Sequence, residues 1–233
     1  MRAPNGYQVS FGPPVTPIIK YLVIANVVAY LMEQLAPDMV LIFGLSPALV
    51  TQKFFLWQLA TYLFLHGGLM HLLLNMFGLW MFGSELERYW GSGFFLRYYF
   101  LTGISAGLLS VAVNPFGREV IIGASGAVYG ILLAYGLMFP NRMLLLYFIV
   151  PVKAKYFVAG LGILTFISAL QAPGGPVAHL AHLGGMLFGL IYLKGWLSLR
   201  SWRQQYQQWR LRRLKRRFQV YEQHRKDDDY SVH

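Results

Sequence analysis

The chain has 233 residues, of which 56% are hydrophobic and 12% charged, with no cysteine and a formal net charge of +11. Soluble domains carry about 25% charged residues, so an ordinary soluble domain is excluded, and without thiols there is no disulfide framework, thiol nucleophile or thiolate metal site. The positive charge does not point to nucleic acid, because ten of the twenty Lys and Arg lie between Arg200 and Lys226, after the last apolar run.

Apolar runs near the ~20 residues needed to cross a bilayer recur along the chain. They predict an all-α polytopic membrane protein: a six-helix membrane domain over residues 17–197, preceded by a short arm (1–16) and followed by a basic tail (198–233). The arm lacks the basic-then-apolar order of a signal peptide. The first span runs from Ile18 to Leu35, with Lys20 and Glu33 close enough to its ends to reach the interfaces. The connection from Ala36 to about His66 is half apolar (Met39–Leu45, Phe54–Leu56), which predicts a segment lying in the interface. The second span, Leu69 to Phe82, is ended by the charged turn of Glu85, Glu87 and Arg88. The third covers Phe94 to Val113. The fourth is the uncharged run Ile121 to Phe139, stopped by Pro140 and Asn141. From Tyr156 to Leu193 there are 38 consecutive uncharged residues, too many for one helix across a ~30 Å core; Pro173-Gly174-Gly175-Pro176 divides them into spans five and six. In the tail, Trp202, Tyr206 and Trp209, then Leu211, Leu214, Phe218 and Tyr221, recur at helical spacing among arginines. Two readings stand: a basic amphipathic helix on the inner leaflet, or a solvated tail that only sets topology.

Lys and Arg in the loops give the orientation. With the N-terminus inside, 18 of the 20 cations fall on the inner side and only Lys53 and Arg118 outside. Both termini are therefore expected to be cytoplasmic, and the even-numbered spans run from outside to inside. His71 and Asn75 are early in span two, Ser125 early in span four and His182 early in span six, so all share one outer depth.

Polar side chains inside a membrane are costly and commonly functional. Gly123-Ala124-Ser125-Gly126 places a serine at the first turn of a helix, where N–H groups lack internal partners and the dipole favours negative charge. Such a site can hold a nucleophile and stabilise an oxyanion, although a lone serine in a membrane helix is usually a packing residue. His182 shares a helix face with Gly185 and Gly189, which with Gly126 and Gly130 make small-xxx-small faces that let two backbones approach. Close approach would bring His182 to Ser125 as a general base. His179 reads as a polar group near the interface. Every acid before the tail lies near a helix end or in a loop, so the expected site is a Ser-His dyad, with the imidazole oriented by packing against Tyr129. His71 and Asn75 lie one turn apart and can donate to an oxyanion beside the Ser125 backbone N–H; a buried Asn can equally tie helices together.

The run His66-Gly67-Gly68-Leu69-Met70-His71-Leu72-Leu73-Leu74-Asn75-Met76 resembles the second span of the rhomboid intramembrane serine proteases. Gly123-Ala124-Ser125-Gly126 and Ala181-His182-Leu183-Gly184-Gly185-Met186-Leu187-Phe188-Gly189 are similar to that family's other two signatures, in order. Glu87 and Gly91 match an E-x-x-x-G feature after the second span. The resemblance implies a rhomboid-like bundle that cuts membrane-spanning proteins within or near the bilayer. It further implies a Ser125–His182 dyad, Tyr129 stacked on the histidine, and His71 and Asn75 lining the oxyanion hole. The partners implied are transmembrane protein substrates and the lipid bilayer; no cofactor, metal or nucleic acid is called for. The short six-span form implies a bacterial inner membrane, with the active site opening to the extracytoplasmic side. The sequence departs from the family where Trp-Arg is common in the first long loop and Trp57-Gln58 stands here, which leaves that loop's anchoring open. Two rival readings remain: a metal transporter using His66, His71, His179 and His182, and a non-catalytic relative that only binds membrane helices.

Overall fold

The first helix starts on a carboxylate. Pro17 opens α1 (Pro17–Leu35), and a helix start leaves its first N–H groups without internal partners. Glu87, from α6 (Ser84–Trp90), supplies them: its carboxylate accepts from the N–H of Ile18 and of Ile19, at 3.1 and 3.2 Å, and from the Thr16 hydroxyl. It also accepts from the Ser92 hydroxyl at 2.6 Å, just past Gly91, whose φ of +82° turns the chain from α6 into α7 (Ser92–Val113). One glutamate and one glycine four residues apart thus join the starts of α1 and α7.

The computed structural model describes residues 12–146, 150–171, 179–196 and 211. The arm before residue 12, the Pro173–Pro176 break and the proposed amphipathic tail (Leu211 aside) lie outside these residues. The chain divides into two compact units, Met1–Ile191 and Tyr192–His233. In the second, the described residues 192–196 and 211 are helical.

The first unit is mostly helical. After α1 come three short helices, α2 (Met39–Phe43), α3 (Pro47–Lys53) and α4 (Gln58–Thr61), the last running on as a 3₁₀ turn, Tyr62–Phe64. α5 (Leu69–Gly78) passes through a π-helical turn, Leu79–Gly83, into α6. The charged residues Glu85, Glu87 and Arg88 therefore belong to a helix that continues to Trp90, not to a turn that ends at Phe82. After α7 come α8 (Ser125–Met138), the hairpin of β1 (Met143–Leu146) and β2 (Val150–Lys153), and α9 (Ala154–Gln171). A further helix, α10, occupies residues 179–191 of this unit. The hairpin, in register Met143↔Lys153 and Leu145↔Pro151, is a short strand pair in the connection between α8 and α9 of an otherwise helical unit. Among the described residues, α1, α7 and α9 are long and apolar enough to cross a membrane. The α4 turn and the α5–α6 rod, bent by 98° at the break, pass the same test as a pair.

The long connection after α1 is built, not loose. Gln58 is fully buried. Its side-chain oxygen accepts from the Ser46 N–H at 3.0 Å, and its amide donates to the Ile42 carbonyl at 3.1 Å. Trp57 donates its indole N–H to the same carbonyl at 3.0 Å, and the Thr61 hydroxyl donates to Phe43 at 2.7 Å. The loop in turn clamps the stretch before α8: Leu45 and Ile121 exchange both backbone hydrogen bonds at 2.9 Å, and Ala48 donates to Gly117 at 3.0 Å. Leu41, Ile42, Phe54, Leu56 and Trp57 remain exposed, the apolar surface that an interfacial segment presents. Gln58 thus answers the question that Trp57-Gln58 left open. It anchors the loop with neutral hydrogen bonds.

Gln58→Ala strands the buried Ser46 N–H, a loss of about 1–3 kcal/mol. We expect protease to cut within residues 36–57 in this variant at temperatures where the wild-type loop resists. Equal protection in both would show that Gln58 is not the anchor.

Candidate active site

Ser125 is the first residue of α8, and Gly123 sets its approach. Gly123 has φ +119°, a region that side chains disfavour, and a Cβ there would lie 2.7 Å from the imidazole of His71. Its N–H donates at 2.9 Å to the carbonyl of Tyr62. The Tyr62 side chain is itself buried, with its hydroxyl donating to Gly103 on α7 at 2.7 Å. A stiff turn is therefore fixed from below by Tyr62 and roofed by His71. α8 has 14 residues, about 21 Å at ~1.5 Å per residue, some 9 Å short of a ~30 Å core.

His182, early in α10, points its Nε2 at Ser125 Oγ across 2.7 Å, hydrogen-bond distance, with the hydroxyl as donor in the tautomer that leaves Nε2 unprotonated. The ring lies flat on Tyr129, with centroids 4.2 Å apart and planes 2° from parallel. Tyr129 is one turn below Ser125 on α8, so one helix presents both the hydroxyl and the ring that fixes the imidazole. The Tyr129 hydroxyl accepts from Thr165 of α9 at 3.4 Å.

What permits this approach is the absence of side chains. A Cβ on Gly185 would fall on the carbonyl oxygen of Gly126, and one on Gly126 would meet Ala106 at 2.7 Å and the Ala181 carbonyl at 3.5 Å. The other two glycines of the expected pattern act differently. A Cβ on Gly130 would meet Thr102 at 2.8 Å, and one on Gly189 would meet the Tyr98 hydroxyl at 2.5 Å. Tyr98 donates to the Gly130 carbonyl at 2.9 Å. Gly130 and Gly189 therefore receive α7, and direct backbone approach of α8 and α10 belongs to Gly126 and Gly185.

His71 stands above the Gly123 turn, and its ring meets that of His66 edge-on at 5.0 Å. Asn75 is buried and donates to the His71 carbonyl at 3.0 Å, which leaves the second amide N–H for another acceptor. His179 lies edge-on to His182 at 6.2 Å. Glu33 does not reach an interface. It is buried, and its carboxylate accepts from the His66 N–H with both oxygens at 3.1 Å. Tyr62, His66 and Glu33 form a support that the sequence did not single out. Tyr62 falls in an apolar stretch without motif, and Glu33 at a helix end looks like any snorkelling carboxylate. Among the described residues, no three His, Asp or Glu gather as a metal site would need.

The fold and site define a class: a membrane-type helical bundle in which a serine and a histidine from different helices meet beneath one of its ends. The Rhomboid domain model matches residues 53–200, more than half of the chain, and the chain belongs to the rhomboid family. It is 35% identical over 138 residues to "Rhomboid protein 1, mitochondrial" of Saccharomyces cerevisiae, covering 57% of this chain and 39% of that protein. With Rhomboid protease GluP of Bacillus subtilis the identity is 33% over 137 residues, 58% of this chain and 25% of that one. With Rhomboid protease GlpG of Serratia proteamaculans it is 30% over 177 residues, 71% of this chain and 57% of that one. The chain thus spans between a quarter and somewhat over half of the length of these relatives.

Gly185→Ala forces a methyl onto the Gly126 carbonyl, and overpacking of this kind costs about 1–3 kcal/mol. Gly160→Ala, on the same bundle with nothing within 4 Å of its added carbon, is the matched control. We expect the melting temperature in detergent to fall by several degrees for Gly185→Ala and not for Gly160→Ala. Equal melting of the two would mean that α8 and α10 are not in backbone contact.

Proposed function

We propose that this protein is an intramembrane serine protease whose membrane domain, residues 17–197, hydrolyses peptide bonds in or near the transmembrane segments of other proteins. The observation that carries the reading is the 2.7 Å contact between His182 Nε2 and Ser125 Oγ in a chain of the rhomboid family, two of whose similar members are named as proteases. In this reading His182, as the neutral imidazole, takes the hydroxyl proton while Ser125 Oγ bonds to the scissile carbonyl carbon. The carbonyl electrons move to the oxygen. The resulting oxyanion is stabilised by the Ser125 N–H, left without a helical partner at the start of α8, and by the His71 ring and the Asn75 amide. Collapse of the adduct breaks the C–N bond, and His182 returns the proton to the leaving amine. Water then repeats the sequence on the acyl-enzyme. Tyr129 holds the plane of the imidazole, the orienting task that a carboxylate performs in a triad.

A carbonyl held in helical hydrogen bonds cannot be attacked, so substrates are single-span proteins whose helix is readily unwound by Gly or Pro near the cut, next to a small residue. The excess of Lys and Arg in the loops at the other end supports an active site that opens to the extracytoplasmic side. The bacterial relatives among the similar proteins support a bacterial inner membrane.

Ser125→Ala and His182→Ala should each abolish cleavage of a model transmembrane substrate in liposomes. Asn75→Ala and His71→Ala should lower kcat by about 10²–10³ with little change in KM, the usual cost of losing one oxyanion donor. Kinetics and melting temperature measured on the same preparations decide the matter. Appreciable turnover by Ser125→Ala would end the serine mechanism. Normal kcat with reduced stability in both span-two variants would make His71 and Asn75 helix glue.

A further inference from the structure

Away from the serine, a groove of about 420 Å³ runs between α8, α9 and α10. Leu133 and Gly136 of α8, Gly162 and Phe166 of α9, and Met186 of α10 line it, and its one charged lining residue is Lys155. From Lys155 to Phe166 the groove follows α9 for about 16 Å at ~1.5 Å per residue. That is about half of a ~30 Å hydrocarbon core, or one leaflet. Its walls are apolar apart from Lys155, and its length suits one extended hydrocarbon chain of that leaflet.

The mouth is marked chemically. Lys155 is exposed, with its ammonium 5.0 Å from the ring of the likewise exposed Tyr156, a basic and aromatic pair of the kind that sits at headgroup level. Lys153, two residues earlier, pairs with Met143 across the hairpin, and Met143 and Leu145 expose apolar side chains on the same strand face. Among the described residues the sole ion pair joins Arg142 to Glu85, so Lys153 and Lys155 have no described carboxylate in reach. From this charge and these dimensions we propose that the groove binds an anionic phospholipid of the leaflet that the basic loops face. One acyl chain lies along Gly162, and the phosphate lies against Lys155. The site is separate from Ser125 and holds whatever that residue does.

Gly162 supplies the test. A Cβ there would meet nothing closer than Met186 Cε at 3.4 Å, so a larger side chain enters the groove rather than the backbone. The full chain is reconstituted in phosphatidylcholine vesicles carrying a trace of phosphatidylglycerol, or in a second arm phosphatidylcholine, with a photoactivatable acyl chain. Labelled peptides are then mapped by mass spectrometry. The groove residues of α9 should label about fivefold more with the anionic probe, the preference expected of one cation beside an anionic headgroup. Gly162→Leu should remove groove labelling by both probes, while Gly160→Leu leaves it unchanged. Lys155→Gln, at an exposed position, should make the two probes equal, and it carries the test alone if Gly162→Leu fails to fold. Three results overturn the proposal: groove labelling no stronger than that of the outward face of α1, an anionic preference untouched by Lys155→Gln, or a photoactivatable transmembrane peptide labelling the groove better than either lipid.

Discussion

Where α8 meets α10, no side chain separates the two backbones: Gly185 lies against the carbonyl of Gly126. The meeting of Ser125 and His182 depends on that contact. Lipid tails are as apolar as the helices they surround, so helix association in a membrane depends on packing at short range. A bundle that must hold two side chains at hydrogen-bond distance gains most from small residues beside them. Ser125 precedes Gly126 by one residue and His182 precedes Gly185 by three, so the glycines that draw the helices together also set the serine–histidine spacing. Tyr129, on the same face as Ser125, then fills the space beside the ring.

The buried carboxylates of this chain hold the frame. Glu87 caps α1 and ties it to α7, and Glu33 holds the His66 backbone beneath the start of α5. Placing a charge in an apolar interior is costly unless hydrogen bonds satisfy it: Glu87 accepts from two backbone N–H groups and two hydroxyls, and Glu33 shares one backbone N–H between its two oxygens. Glu33 fixes His66, His66 lies against His71, and His71 covers the Gly123 turn. The support of the turn before Ser125 therefore runs through α1 and α5, and through Tyr62 to α7.

Much of this was legible in the sequence because apolar runs and breakers mark helices directly. The reading of span one as Ile18–Leu35 meets a helix at Pro17–Leu35, and span three, Phe94–Val113, meets Ser92–Val113. The small-residue spacing around Ser125 and His182 announced a close approach. What was not legible depends on partners distant in sequence. Glu33 and Glu87 look like interfacial acids until the backbone amides they accept from are in place. Gly130 and Gly189 carry the same spacing as Gly126 and Gly185, and only the third helix, with Tyr98 and Thr102, separates their roles. Gln58 carries no charge to advertise its three-way anchoring. The hairpin at 143–153 falls in the connection that Pro140 and Asn141 open, and that short apolar segment carries no alternation strong enough to announce a strand pair.

The central claim is that Ser125 is a nucleophile activated by His182. It is tested most directly by incubating the 233-residue chain in detergent with a serine-directed phosphonate, with and without chelator, and mapping the adduct by mass spectrometry. The account predicts one covalent adduct, on Ser125, formed equally with chelator present and lost in His182→Ala. No adduct on Ser125 in folded protein, or labelling that persists undiminished without the histidine, would contradict it.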